Sequence, residues 1–172
     1  MTAFELLAEV GFEGDALLTA AAVGYGESEG FTDAVGDIEL ARLGPYSTQV
    51  AAVDGWAARK AAGKPVPAPS ESVIRQETDG RWYVVNTKWG ASGGWFQIRP
   101  LDEPAKWPFP DSLRYADKLR DARYAAQVAF EIWKKDGNFL KWSVFKSGKY
   151  KEFLGMDYEL RTGHPRAGEW NV

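Results

Sequence analysis

Residues 22 to 37 read AVGYGESEGFTDAVGD, a small-residue run that leads into Glu27 and Glu29, two carboxylates one residue apart. A carboxyl group in such a place can do general acid–base chemistry if it stays protonated near neutral pH. Glu27 meets that condition. Ala20 and Val23 precede it on the same helical face, so it should project from apolar walls, and desolvation raises a carboxyl pKa. The partial negative charge at a helix C-terminus adds to this, disfavouring an anion by about 0.3–1 kcal/mol. A glutamic acid kept neutral in this way suits proton delivery to a glycosidic oxygen as its bond breaks. Glu29 is expected beyond the helix end, in an exposed turn. Spacing alone also allows a plainer arrangement, two surface carboxylates at a helix terminus.

Other chemistries find less support. The chain has no cysteine and one histidine, which removes disulfides, a thiol nucleophile and a cysteine metal site. His164, in TGHPR, is expected as a solvated loop residue, so neither zinc nor another metal is implied. GYGESEG looks superficially like a phosphate-binding glycine loop, but it ends a helix and no Lys-Ser/Thr pair follows. Lys plus Arg number 21 against 24 Asp plus Glu, with no block of like charge, a balance that argues against nucleic acid as a partner. Eight Trp, seven Tyr and nine Phe are enough to fill a core and still line a ligand cleft, where aromatic faces stack on sugars.

The elements that must position Glu27 follow from the pattern. A length of 172 residues fits one domain with a real core. TAFELLAEVGF reads as a short amphipathic helix with Phe4, Leu7 and Val10 on one side, closed by Gly11. Asp15 can cap a second helix, ALLTAAAVGYGE, whose rows are apolar almost all round, as in a central buried helix. DGWAARKAAG suggests a short helix, and KPVPAPS, with its alternating prolines, an extended loop. SVIRQETDGRWYVVN forms a hairpin turning at Asp79-Gly80. LDEPAKWPFPDS reads as a proline-rich loop. DSLRYADKLRDARYAAQVAFEIWKKDG reads as one or two helices, the second alanine-rich, capped by Asp121 and stopped by Gly137, with Ala122, Ala126, Ala129 and Trp133 sharing a face. The class is α+β, mostly helical, with a small β-hairpin.

Three segments in order carry a resemblance: Glu27-Ser28 at the end of a buried helix, then Ser92-Gly93-Gly94-Trp95-Phe96-Gln97-Ile98, then the alanine-rich helix and closing stretch from Ala122 to Trp142. Together they resemble the lysozyme-like domains of soluble lytic transglycosylases, goose-type lysozymes and phage tail lysins. The resemblance covers roughly residues 12–42 and 87–154, and it implies a single lysozyme-like domain over 1–172 with an atypical insertion at about 43–86. It implies that Glu27 is the catalytic acid and later the base, that Ser92 and Gln97 hold the sugar strand, that Gly93 and Gly94 let the backbone come close, and that Trp142 braces the cleft wall. Gln97 as an amide bonding backbone and Trp142 as a core residue are the structural alternatives. The aromatic residues Trp82, Tyr83 and Trp89 could wall one side of the cleft or bind another subunit.

The family mechanism needs one carboxyl, because the 2-acetamido group of the muramic sugar attacks its own anomeric carbon. A hydrolytic outcome would need a second carboxylate, for which Asp33, Asp37, Glu39 or a residue of the insertion could serve. The implied activity is cleavage of the β-1,4 bond between muramic acid and glucosamine in peptidoglycan, without cofactor. The implied partners are glycan strands and other virion tail proteins. The first residues, MTAFELLAEVGFEG, lack the basic start and long apolar stretch of a signal peptide, and no stretch approaches a membrane span. This fits a phage tail component, or a lysin delivered to the cell wall through a membrane lesion, and equally a toxin or injection-system part. Two rivals remain at this stage: a virion protein that keeps the fold to bind peptidoglycan without turnover, and a chitin-cleaving relative.

Overall fold

A computed structural model describes residues 1–100 and 116–169. The proline-rich loop expected over 101–112 lies outside the described residues. The class is α+β, with helices packed on one another and two small antiparallel sheets.

The helix that carries Glu27, α2, runs Gly14–Ser28. Its second half is buried from Ala20 to Gly24, and small residues are required there because neighbours press close. A Cβ on Gly24 would sit 2.4 Å from the Trp95 indole nitrogen. The helix ends where Glu29 turns left-handed, φ 54°, and its N–H closes onto the Tyr25 carbonyl. At the other end Glu13 occupies the cap position without a side-chain bond. The Asp15 cap expected from sequence is therefore corrected: Asp15 sits inside the first turn, where its charge still suits the positive end of the helix.

Two further helices build the main core, the first packed against both α2 and the second. The first, α1 (Ala3–Val10), opens with a reciprocal Thr2/Glu5 capping box and stops at Gly11. It buries Ala3, Leu6 and Leu7, so its inward stripe is turned relative to the expected Phe4–Leu7–Val10 row, in which Phe4 and Val10 are half-buried. The alanine-rich helix, α5 (Ala122–Asp136), is capped by Asp121 and ended by left-handed Gly137 as expected. Its buried residues Ala125, Ala126, Val128, Ala129 and Ile132 let it approach the other helices closely. Phe12, Phe130, Trp133 and Phe139 fill the space between with stacked, tilted and edge-on rings, contacts that add about 0.5–1.5 kcal/mol per pair beyond area burial.

The segment 42–86 is more than a hairpin. Strands β2 (Arg42–Tyr46), β3 (Ser72–Gln76) and β4 (Trp82–Asn86) form an antiparallel sheet in the order β2-β4-β3. The β3–β4 hairpin turns at Asp79-Gly80 as expected, with Gln76 opposite Trp82. Helix α4 (Gln49–Ala61) packs on this sheet, capped by Thr48, and starts earlier than DGWAARKAAG suggested. Leu43, Ala52 and Val84 form a separate small core with Tyr46, Trp56, Val66, Ile74 and Trp82 around it. The Trp56 indole donates to the Pro67 carbonyl at 3.0 Å, tying down the extended KPVPAPS segment.

Between the two cores lies a second, very short sheet. Strand β1 (Val35–Gly36) pairs with β5 (Ser92–Gly93), Val35 opposite Gly93 and Gly36 opposite Ser92. The one-turn helices α3 (Ile38–Ala41) and α6 (Ser143–Lys146) flank the region. The stretch around residue 160 returns to α2. The Tyr158 hydroxyl donates to the Ala21 carbonyl at 2.6 Å and accepts from the Trp95 indole at 3.0 Å. Phe31 bridges to Arg161 and Thr2 to Glu159. His164 is corrected too: it is half-buried, its ring nitrogen accepts from the Arg166 N–H, its own N–H reaches Asp33, and its ring meets Phe31 edge-on. It pins this loop.

Candidate active site

Glu27 stands in the last turn of α2 at a cleft of about 520 Å³, lined by Asp37, Trp89, Ser92, Gln97, Arg99, Trp142 and others. Burial is the main reason its carboxyl is pushed up from 4.5 to about 7; the negative charge of Asp37 adds to this, and the Val144 backbone N–H works against it. The apolar walls come from Ile98, Ile132 and Trp142. Ala20 and Val23, expected to supply them, are wholly in the core. Glu29 is exposed and tied to Arg161, 3.6 Å away. The two carboxylates of the opening motif thus have opposite surroundings, one dry and one wet.

Three carboxylates between the end of α2 and the first turn of α3 were open as a second acid. Asp33 accepts the backbone N–H groups of Gly163 and His164. Glu39 lies 3.6 Å from Arg166. Asp37 alone of the three lines the cleft. Its backbone is left-handed, φ 53°, an uncommon state for a residue other than glycine, and it aims the carboxylate at Ser92, whose hydroxyl donates to it at 2.6 Å. The β1–β5 pairing is what brings these two together across the chain.

Ser92, Gln97 and Trp142 all reach the cleft, as the sequence suggested, but each has structural work there. Ser92 is buried and spends its proton on Asp37. Gln97 donates its amide to the carbonyls of Ala34 and Gly94 at 3.1 and 2.9 Å. Its Oε1 accepts nothing from the described residues and lies over Gly36, where a Cβ would be 2.5 Å away. Trp142 is buried, donates its indole N–H to the Phe96 carbonyl at 2.8 Å, and shows one side to the cleft. It is core and wall together.

Gly94 does not line the cleft. Its φ is +78° and a Cβ would fall 2.1 Å from the Leu119 carbonyl, so the glycine answers a chain crossing behind the site, not an approaching ligand. Of Trp82, Tyr83 and Trp89, Trp89 lines the cleft, whereas Trp82 packs in the small core of the β2-β4-β3 sheet and Tyr83 lines a separate groove beside Arg42. Arg99 and Lys141 complete the lining and were not singled out from sequence; the adjacent position of Arg99 to the Gln97-Ile98 motif was the available signal. Lys141 pairs with Asp136 at 3.3 Å.

Among the described residues, no three His, Cys, Asp or Glu side chains gather as a metal site, and no helix is long and apolar enough to cross a membrane. The site therefore offers one neutral carboxyl, one hydrogen-bonded carboxylate, an aromatic face and a guanidinium around a common space. No family model, curated protein or solved structure matches the chain.

Proposed function

We propose that this chain is a lysozyme-fold glycosidase that cleaves the β-1,4 bond between muramic acid and glucosamine in peptidoglycan, and that it works as a phage tail lysin. The observation that carries the reading is Glu27: a carboxyl at a helix end, raised to about 7 by burial, facing a cleft shared with Ser92, Gln97 and Trp142. A carboxyl that ionises near 7 can give a proton and take one back at neutral pH.

Glu27 protonates the glycosidic oxygen as that bond to the anomeric carbon breaks. The 2-acetamido oxygen of the same muramic sugar closes on the anomeric carbon and carries the positive charge that develops. Glu27, now a carboxylate, takes the proton of the O6 hydroxyl, and O6 displaces the acetamido oxygen to form a 1,6-anhydro ring. In the hydrolytic variant water takes the place of O6, and Asp37, already oriented by Ser92, supports its activation. The Oε1 of Gln97 is an acceptor for an N–H or hydroxyl of the strand. Trp89 offers a stacking face.

The test is digestion of purified sacculi with the protein and its Glu27→Gln variant, the released muropeptides being weighed by mass spectrometry. The parent should release fragments and Glu27→Gln should lose about 10³-fold or more of the rate, in line with loss of a general acid. Anhydro ends identify transglycosylation and reducing ends identify hydrolysis. Equal inactivity of both proteins sinks the enzyme reading and leaves a tail protein that binds the wall without turnover. Loss of activity in Glu29→Gln alone would reassign the acid.

A further inference from the structure

The reading above leaves the guanidinium of the cleft without a role. Arg99 lines the cleft beside Asp37 and Trp89, and its Nε–H is fixed to the Gly90 carbonyl at 2.9 Å. Its guanidinium carbon lies 5.6 Å from the centre of the Trp89 ring. That anchoring leaves the other end of the fork unspent: Nη2 is shielded from water and has no acceptor among the described residues. The two described acids that attract Arg99 are committed elsewhere. Asp37 receives the Ser92 hydroxyl, and Glu71 pairs with Lys88 at 3.7 Å and takes the Asn86 amide. Both reach Arg99 only through longer-range attraction.

A half-buried guanidinium with an unmatched N–H is costly, and such a group calls for a partner. The other cation of the cleft, Lys141, already has Asp136. The partner that fits a fixed, planar fork is a planar pair of oxygens, a carboxylate above all. A glycan of N-acetylglucosamine alone is uncharged and offers none. A muramic strand offers one on each muramic sugar, the lactyl group on O3, which ends in a free carboxylate on bare strands and in an amide carbonyl on peptide-bearing ones.

We propose that Arg99 is the specificity residue of this cleft, binding the acyl oxygens of the O3-lactyl substituent and so selecting muramic strands over neutral glucosamine polymers. The proposal rests on the glycosidase reading and adds the group that is recognised. Trp89 stacks on the sugar while Arg99 holds its substituent, which sets the register of the strand relative to Glu27.

The experiment measures binding in the Glu27→Gln background by titration calorimetry, with three probes: a bare glucosamine–muramic tetrasaccharide, the same tetrasaccharide with L-alanine amidated onto its lactyl groups, and chitotetraose. The parent background should bind the bare strand at least tenfold more tightly than chitotetraose. Arg99→Met should weaken the bare strand by about 10- to 100-fold, the range of a charge-assisted hydrogen bond, and leave chitotetraose within twofold, which also shows that the variant is folded. Arg99→Lys should recover part of the loss, since a point charge remains without the fork. A larger loss on the bare than on the amidated strand identifies the carboxylate, and equal loss identifies the acyl carbonyl common to both. Equal affinity of the parent background for the bare strand and chitotetraose overturns the role of Arg99 while the glycan cleft stands, and this comparison needs no variant. Binding of none of the three probes overturns the glycosidase reading itself and this proposal with it.

Discussion

Replacing Glu27 by Gln should make the protein more stable, and only at neutral to alkaline pH. In the unfolded chain the carboxyl ionises near 4.5, and in the fold it holds its proton to about 7. Between those values the native state binds a proton that the unfolded state has lost, so stability falls as pH rises from about 4.5 to 7, and the whole penalty remains above that. At full value the change is worth ~3 kcal/mol. The side chain is only half-buried at an open cleft, where water screens it, and about 2 kcal/mol is the fairer figure. Glutamine carries no charge and keeps an oxygen for the Val144 N–H, so it removes this penalty and little else. For a chain of this length each kcal/mol is worth about 2–4 °C in Tm. Thermal melts should therefore place Glu27→Gln about 4–8 °C above the parent at pH 8 and within about 1–2 °C of it at pH 5. An equal gap at both pH values, or a less stable variant at pH 8, would refute the assignment of a dry, neutral carboxyl.

Two other perturbations test the surroundings of that carboxyl. Asp37→Asn removes a negative charge that helps raise Glu27, so the alkaline limb of the rate on sacculi should move to lower pH; burial, the larger cause, should keep it above the ordinary carboxylate range, and an upward move would contradict the geometry. Gly94→Ala and Gly80→Ala share nearly the same φ, +78° and +77°, but Gly80 has nothing within 4 Å of its Cβ while Gly94 has the Leu119 carbonyl at 2.1 Å. Urea unfolding should show a loss of ~1 kcal/mol for Gly80→Ala and at least ~2 kcal/mol more for Gly94→Ala, and matching losses would mean that Gly94 is not set by that crossing.

Where local chemistry decides the outcome, the sequence is a reliable guide. Asp121 and Gly137 mark the ends of α5, and Asp79-Gly80 marks the hairpin, because caps and tight turns are settled by a few adjacent residues. Glu27 was legible for the same reason, an apolar helix running into a carboxylate. Asp37 was not separable from Asp33 and Glu39, since the choice among them depends on β1 meeting β5 across more than fifty residues of chain, shown by the Asp37–Ser92 bond. Arg99 is hidden in the same way: nothing local says that its Nη2 lacks an acceptor among the described residues. Strand β2 escaped notice because RLGPY contains glycine and proline, which central strands exclude. It lies at the sheet edge, with an irregular register between Leu43 and Tyr46, where both are tolerated. The Gly94 role was misjudged because a glycine needed by a ligand and one needed by a neighbouring carbonyl look alike in one dimension.

The return of the chain around Tyr158 to α2 has a consequence for synthesis. The Tyr158 hydroxyl reaches Ala21, and its ring packs on Tyr25 and Trp95, so the helix that carries Glu27 is covered on that side only after residue 158 has left the ribosome. Translation therefore runs nearly the whole described chain before the helix can settle, and the ribosome, holding a few dozen residues in its tunnel, delays that moment further. The cleft beside Glu27 is therefore unfinished for as long as the chain is still being made.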